Sequence, residues 1–500
     1  MSCLSRSQEN AAAAETEFGY LFRQQLKSHR KQPLPINQSS EMDTMAVAVP
    51  PAAGPSNGGG MAMAVTMGMG MDISVINQYE ENVEHLRQLF SQNHLVSFRI
   101  DHIACSAGSS SGDNYMSVVK RVTISQDQEQ PITSEAVTVI VKRQIPSLSR
   151  RQLYRCEEAF SNEINAYRHL VPLLRRYSQQ PLFPLCHIAE SHDQSETGEP
   201  IIVLQDLKAL GYRMKDRLDG LELEHCLLVM KKLAQMHAAS LAAQQLESAF
   251  FAAQVEHLSE IVYCEDAAEF YSTILDTSVQ QALDSLSSSN ADGSLTTPIS
   301  LIEGLRPKLF EQLQRNINAA AESPFSVVCH GDLWVNNIMF RSEPDEVIFF
   351  DLQAMRRTSP VFDILHFIYT STRRRLRDDH TDTLLAAYAE AVAKELNQQL
   401  KHTPAAKQLD QLSDTFSLQR LTTEYVRQVH YGLAIGMWIL PAVTFDPNNL
   451  PNLDVMSEQN LTGKEIKCTQ TLTSEYHLRI RELVMEFYER GYLQTQRPPM

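Results

Sequence analysis

Apolar residues alternate with polar ones through 116–125, which sets Met116, Val118, Val122 and Ile124 on one face of a strand. A second strand is expected over 136–142. The period then changes. Over 151–177, Leu153, Cys156, Phe160, Tyr167, Leu170 and Leu174 recur at helical spacing, and Glu163 lies in the same stripe. A carboxylate on an inward face needs a cation or strong donors. Lys142, which ends the preceding strand, is the natural partner; a hydrogen bond to backbone or to a tyrosine is the plainer alternative. The apolar run at 200–207 reads as a buried strand entering a polar link. An amphipathic helix follows over 222–240, and His237 near its end reads as a core or capping residue. Residues 277–298, rich in Ser, Asn, Asp and Gly, read as a flexible loop between helices. Beyond 351 the chain is mostly helical, with a buried helix expected at 431–445.

One strand pair carries candidate chemistry. Residues 337–341 read as a strand, 342–346 as a breaker-rich turn and 347–351 as the return strand. Pairing Arg341 with Val347 would set Asn337 opposite Asp351, and opposed residues lie about 5 Å apart at Cβ. Just upstream runs Val328-Cys329-His330-Gly331-Asp332-Leu333-Trp334-Val335-Asn336-Asn337. Phosphoryl transfer asks little of a protein: one carboxylate to orient a hydroxyl, and oxygen ligands to hold Mg²⁺ against the phosphates of ATP. Asp332 can be the first; Asn337 and Asp351 can be the second. The bland reading is a polar turn followed by a buried strand with an acidic end. The small-residue stretch 109–117 contains Gly112, which would let backbone approach an anion, though a plain hairpin turn reads equally well.

Composition narrows the class. The chain has 500 residues and a formal charge of −16, which argues against a nucleic-acid-binding surface. Its eight cysteines include no paired spacing, so neither a zinc site nor a disulfide framework is suggested, and a reducing compartment is expected. No basic-then-apolar leader opens the chain. The apolar run at 431–445 is short for a bilayer and contains Pro441. A soluble, cytoplasmic protein is the expectation. Residues 1–72, with an Ala run, a Pro- and Gly-rich stretch and alternating Met with Gly or Ala, read as a disordered low-complexity extension. The basic run from Arg373 to Arg377 is followed at once by Asp378 and Asp379 and reads as a solvated helix face.

Taken together, these residues resemble the ecdysteroid kinase-like family of insects, within the broader aminoglycoside and choline kinase fold. The resemblance rests on His330-Gly331-Asp332-Leu333-Trp334-Val335-Asn336-Asn337, Asp351-Leu352-Gln353, Ser359-Pro360 with Asp363, and Tyr369-Thr370-Ser371-Thr372. Upstream it takes in Gly112-x-Asn114-Tyr115-x-Ser117, Lys142, Glu163, Gln205-Asp206-Leu207 and His237-Ala238-x-Ser240, and it spans about 80–490. It implies an α+β, bilobal protein-kinase-like fold. A small β-sheet-plus-helix N-lobe would cover 73–204, and a large, mainly helical C-lobe with the catalytic loop and substrate pocket would cover 205–500. It implies ATP and Mg²⁺ as cofactors. Asp332 would be the catalytic base and His330 the brace of its loop. Asn337 and Asp351 would hold Mg²⁺, Lys142 would touch phosphates, and Glu163 would hold Lys142. Gly112, Asn114 and Ser117 would lie along the nucleotide, with Gln205 and Leu207 at the lobe junction that reads adenine. Asp363 would tie the catalytic loop to a large-lobe helix. Leu352 stands where the family usually has Phe, a tolerable apolar change.

The implied acceptor is a hydroxyl of an ecdysteroid or a related steroid or xenobiotic. A choline or ethanolamine kinase is the alternative, with Trp438, Tyr425, Tyr431 and Phe445 as candidates for an aromatic cage. An inactive binding scaffold is the other, and intact Lys142, Asp332, Asn337 and Asp351 argue against it. The expected partner is a small molecule, with no nucleic acid, no membrane and a monomeric chain.

Overall fold

The structure, a computed structural model, describes residues 82–108, 116–126, 136–195, 198–343, 345–446 and 472–494. The extension at 1–72 lies outside them, as do Gly112 and Asn114. Strands β1 (His102–Ala107), β2 (Ser117–Ser125), β3 (Val137–Gln144), β4 (Cys186–Glu190) and β5 (Ile201–Gln205) form one sheet in the order β1-β2-β3-β5-β4. Every neighbouring pair is antiparallel.

Both faces of this sheet are covered, which is why β5 is an unbroken apolar run rather than an alternating one. Ile201 and Val203 pack with Leu86, Leu89 and Phe90 of helix α1 (Val83–Gln92), while Ile202 and Leu204 join the cluster of Phe160, Tyr167 and Leu170 on the opposite side. The residues expected to form one helix over 151–177 form four helical pieces. A short helix Leu148–Leu153 ends before Arg155, whose backbone is left-handed (φ 53°). Helix α2 (Cys156–Asn165) follows, then a π-helical turn Ala166–Leu170, then Val171–Tyr177. Pro172 explains the widened turn: it lacks an N–H, and its ring collides with the carbonyl four residues back in a regular helix.

The rest is helical and surrounds two small β elements. Helix α3 (Leu223–Leu246) packs along helix α5 (Arg374–Leu400), and helix α4 (Val361–Ser371) packs on helix α6 (Val429–Thr444). All of α6 is buried, Pro441 included. Its Gly432 lets the two helices close up, since a Cβ there would stand 2.4 Å from the Tyr369 ring. Together these features make the α+β, bilobal, protein-kinase-like architecture. Among the described residues no helix is long and apolar enough to cross a membrane.

Two expectations fail in the large lobe. The supposed loop at 277–298 is mostly helix, Ala268–Ser288 and then Thr296–Leu305. Val279, Ala282, Leu283 and Leu286 keep helical spacing through the polar stretch and are buried, and that spacing outweighs the serine content. The basic run is only partly a solvated face. Arg377 is 4% exposed, and its Nε donates to Glu486 at 2.7 Å.

Candidate active site

Strand β6 (Val327–Cys329) is buried and pairs with β9 (Arg356–Thr358). It delivers His330 into the interior. The next residue, Gly331, has φ +83°, and a Cβ there would stand 1.9 Å from the Ala354 carbonyl oxygen, so only glycine can make the turn. Asp363, in the first turn of α4, accepts from the His330 and Gly331 amides at 2.7 and 2.9 Å. His237 Nε2 stands 3.2 Å from the same carboxylate, and its Nδ1 is 2.8 Å from the Tyr388 hydroxyl. Burial alone would raise the pKa of Asp363, but the hydrogen bond and charge of His237 with the backbone donors pull it down to about 2. Asp363 thus ties the loop to α4, and His237 is part of that core rather than a reacting group.

The loop presents Asp332. Asn337 donates its Nδ2 to the Asp332 main-chain oxygen at 2.8 Å and to Oδ2 at 3.0 Å. The Asp332 amide reaches His330 Nδ1 at 3.4 Å, and His330 Nε2 lies 3.0 Å from the Phe350 carbonyl. His330 therefore carries its proton on Nε2 and links the loop to the residue before Asp351. Burial, then the nearby charge of Asp351, push the Asp332 carboxyl up to about 7, against the hydrogen bond from Asn337.

Lys142 and Glu163 meet as the helical stripe suggested. Lys142 Nζ stands 2.6 Å from Glu163 Oε2 and 2.8 Å from Asp351 Oδ1. Burial works against the ammonium charge, but Asp351 and Glu163 outweigh it and hold Lys142 above the ordinary lysine range. The hairpin β7 (Ile338–Arg341) and β8 (Glu346–Phe349) departs from its expected register. Arg341 pairs with Glu346, not Val347. Opposed charges at that rung, with Tyr212 donating to the same Glu346 at 2.5 Å, hold the shorter turn. Asn337 and Asp351 are consequently not opposed; both lie just beyond the open end of the ladder, where the Phe350 amide donates to the Asn337 carbonyl at 3.1 Å. Asp351 leaves it in a left-handed conformation (φ 66°), and its carboxylate turns to Lys142.

Two clefts flank these groups. The first has a cavity volume of about 90 Å³. Val119, Ile140, Leu204, Leu207, Met339 and Phe350 wall it, while Lys142 and Asp351 are among its polar residues. Gln205 also lines it; Ser117, buried opposite Gln144, does not. Gly108 lies at its edge, where a Cβ would stand 2.7 Å from Val119. Asn336 lines it too, 4% exposed, with Nδ2 lacking a hydrogen-bond partner. The second cleft has a cavity volume of about 50 Å³ and holds Asp332, Arg356, His366 and Tyr431 against Ile435 and Trp438. Of the four rings proposed as a cage, only Tyr431 and Trp438 line it. Tyr425 is buried against the Tyr369 hydroxyl, and Phe445 lies under Arg217.

Gly108, Asn336, Arg356 and His366 were not singled out in the sequence. For His366 a signal existed: it follows Asp363 by three residues on a helix that is otherwise largely apolar. Arg356 had none, because its partners Glu260 and Tyr431 are remote in sequence.

Comparison with known proteins places this geometry. The model of the ecdysteroid kinase-like family matches residues 111–402, more than half the chain. No curated protein matches. Among solved structures, an ethanolamine kinase of Plasmodium vivax is 11% identical, covers 84% of this chain and 93% of its own, and has a TM-score of 0.38. An amicoumacin kinase is 12% identical, covering 85% and 97%, with a TM-score of 0.36. A choline kinase from Streptococcus pneumoniae is 10% identical, covering 70% and 99%, with a TM-score of 0.31. The chain belongs to the ecdysteroid kinase-like family and is an ATP-dependent phosphotransferase with an alcohol group as acceptor.

Proposed function

We propose that this kinase moves the γ-phosphoryl group of ATP, with Mg²⁺, to a hydroxyl of an ecdysteroid or a related steroid or xenobiotic. One observation carries the reading. Asp332 lines the second cleft, and Asp351, whose charge it feels, lines the first. The two clefts therefore meet at these carboxylates, with the nucleotide in the first and the acceptor in the second. Lys142 would meet phosphate oxygens, held by Glu163. The acceptor oxygen forms a bond to the γ-phosphorus while the bond to ADP breaks, and the hydroxyl proton passes to Asp332.

The residues fit a hard cation. Asn337 spends its amide N–H on Asp332, which leaves the amide oxygen, and Asp351 spends one oxygen on Lys142. The effect of the Asp351 charge on Asp332 marks local negative charge that a cation would relieve. Bound by Asn337 and Asp351, Mg²⁺ would neutralise charge on the phosphate oxygens.

The lining of the second cleft supports an apolar acceptor. Among the described residues that line it the one carboxylate is Asp332, and the Arg356 guanidinium is paired with Glu260 at 3.3 Å. A choline-like or aminoglycoside cation would meet no lining carboxylate besides Asp332 among those residues.

The test pairs ATP and Mg²⁺ with a panel of hydroxylated steroids and amines. Asp332→Asn is expected to lose about 10²–10⁴-fold in transfer rate while keeping nucleotide affinity. Transfer by the variant at the wild-type rate would remove Asp332 as the base. A wild type that prefers amino alcohols, or transfers to nothing, would remove the acceptor reading.

A further inference from the structure

His366 lies on α4, 2% exposed, with its Nε2 only 3.4 Å from Asp332 Oδ1. That is long for a hydrogen bond, and Nε2 has no other partner. Such bonds at active sites often tighten only when substrate is bound. On the other side of the ring, Nδ1 stands 3.3 Å from the Tyr431 hydroxyl. Tyr431 in turn receives Arg356 Nη2 at 3.2 Å.

With Asp332 ionised and able only to accept, these contacts allow one arrangement of protons. Arg356 can only donate, so it uses a lone pair of the Tyr431 oxygen. The Tyr431 proton then points to His366 Nδ1, which must be bare. A neutral ring with bare Nδ1 carries its proton on Nε2, facing Asp332. In the opposite tautomer, Nε2 would aim a lone pair at a carboxylate and the Tyr431 proton would lose its acceptor. Burial, against the charge of Asp363, keeps His366 neutral, with its pKa lowered to about 3.

We propose that His366 is a positioning residue for Asp332, donating from Nε2 to Oδ1 and held in that tautomer by the Tyr431 hydroxyl under Arg356. Asn337 Nδ2 already fixes Oδ2, so the carboxylate is gripped from both sides. Its plane is then set as the acceptor binds and the contact tightens, and one lone pair of Oδ1 is left to take the hydroxyl proton. The inference rests on Asp332 being the base of the transfer proposed above.

Two readouts separate its failure from failure of that reading. The first needs no activity. In wild-type protein labelled with ¹⁵N-histidine, the ring signals that vanish in His366→Gln should report the Nε2–H tautomer, and Tyr431→Phe should abolish that uniform state. An Nδ1–H signature, or no response to Tyr431→Phe, overturns the proposal. The second is kinetic. His366→Leu should lower kcat about ten- to hundredfold, as displacement of a positioned group does, with the KM for ATP unchanged. His366→Gln, which keeps an N–H donor, should recover most of it. Equal loss in both variants with the ATP KM raised would mark a merely structural role, and full activity of His366→Leu would sink the idea.

Discussion

Asp332 is held in a form that costs stability. Its carboxyl titrates near 7 in the folded protein against 3.8 for an ordinary aspartate, with its side chain 25% exposed. Because the folded constant is the higher one, the associated stability is fully present below about 4 and is lost as pH rises through about 7. Replacing it by a non-titrating isostere removes that loss. Asp332→Asn should therefore gain thermal stability over wild type as pH rises across this window, by at most about 4 kcal/mol. Scanning calorimetry of both proteins at pH 5 and pH 8 checks it, and a constant difference would refute it. With Asp332 as the proposed base, the same shift predicts that wild-type kcat/KM falls as pH drops through about 7, where that carboxylate becomes protonated.

At the scale of elements, the decisive joint is between α2 and the segment after Asp351. Asn162 Nδ2 donates to the Gln353 and Met355 carbonyls at 2.9 and 3.1 Å, while its Oδ1 accepts from the Ser259 amide at 2.9 Å. Glu163, the next residue, holds Lys142. One turn of α2 thus fixes both the lysine and the chain that carries Asp351. Asn162→Ala loses three hydrogen bonds to buried or half-buried backbone, and a net cost of about 1–3 kcal/mol is expected. The transfer rate should fall with it, because the Asp351 segment loses its anchor. Denaturant unfolding and steady-state kinetics on the same sample test this; lost stability with unchanged kcat would mean the joint does not position the site. Glu163 itself was legible as a carboxylate in an apolar stripe. Asn162 was not, because its partners lie 97 and more residues away.

Across the whole molecule, one lysine spans the two lobes. Lys142 comes from β3, while Asp351 follows β8 in the large lobe, and the ion pair closes the back of the first cleft. A nucleotide bound there would contact both lobes and stabilise the folded chain. At a hundredfold excess over Kd the gain is about 2.7 kcal/mol, read as a rise in Tm on adding ATP and Mg²⁺. Lys142→Met should lower the nucleotide-free Tm, since it strands Glu163 in the interior, at a cost of about 3–5 kcal/mol. It should also shrink the rise on adding nucleotide. An undiminished rise would place the nucleotide elsewhere.

The candidate chemistry was readable from local order alone. His330, Asp332, Asn337 and Asp351 lie within one short stretch, and the strand and helix periods around Lys142 and Glu163 set which way those side chains face. Local order failed where a long-range contact chose between similar local states. Pairing of Arg341 with Glu346, shared with Tyr212, moved the hairpin register by one residue. Burial of Val279 and Leu286 made helix of a serine-rich stretch. The wall of the second cleft belongs to this class in part: Tyr431 and Trp438 were picked out as rings, but Arg356 of β9 and His366 of α4 join them only when these elements pack. A chain can encode a reacting group within a few neighbouring residues, but a cavity is the space left between elements, and its shape exists only after they pack.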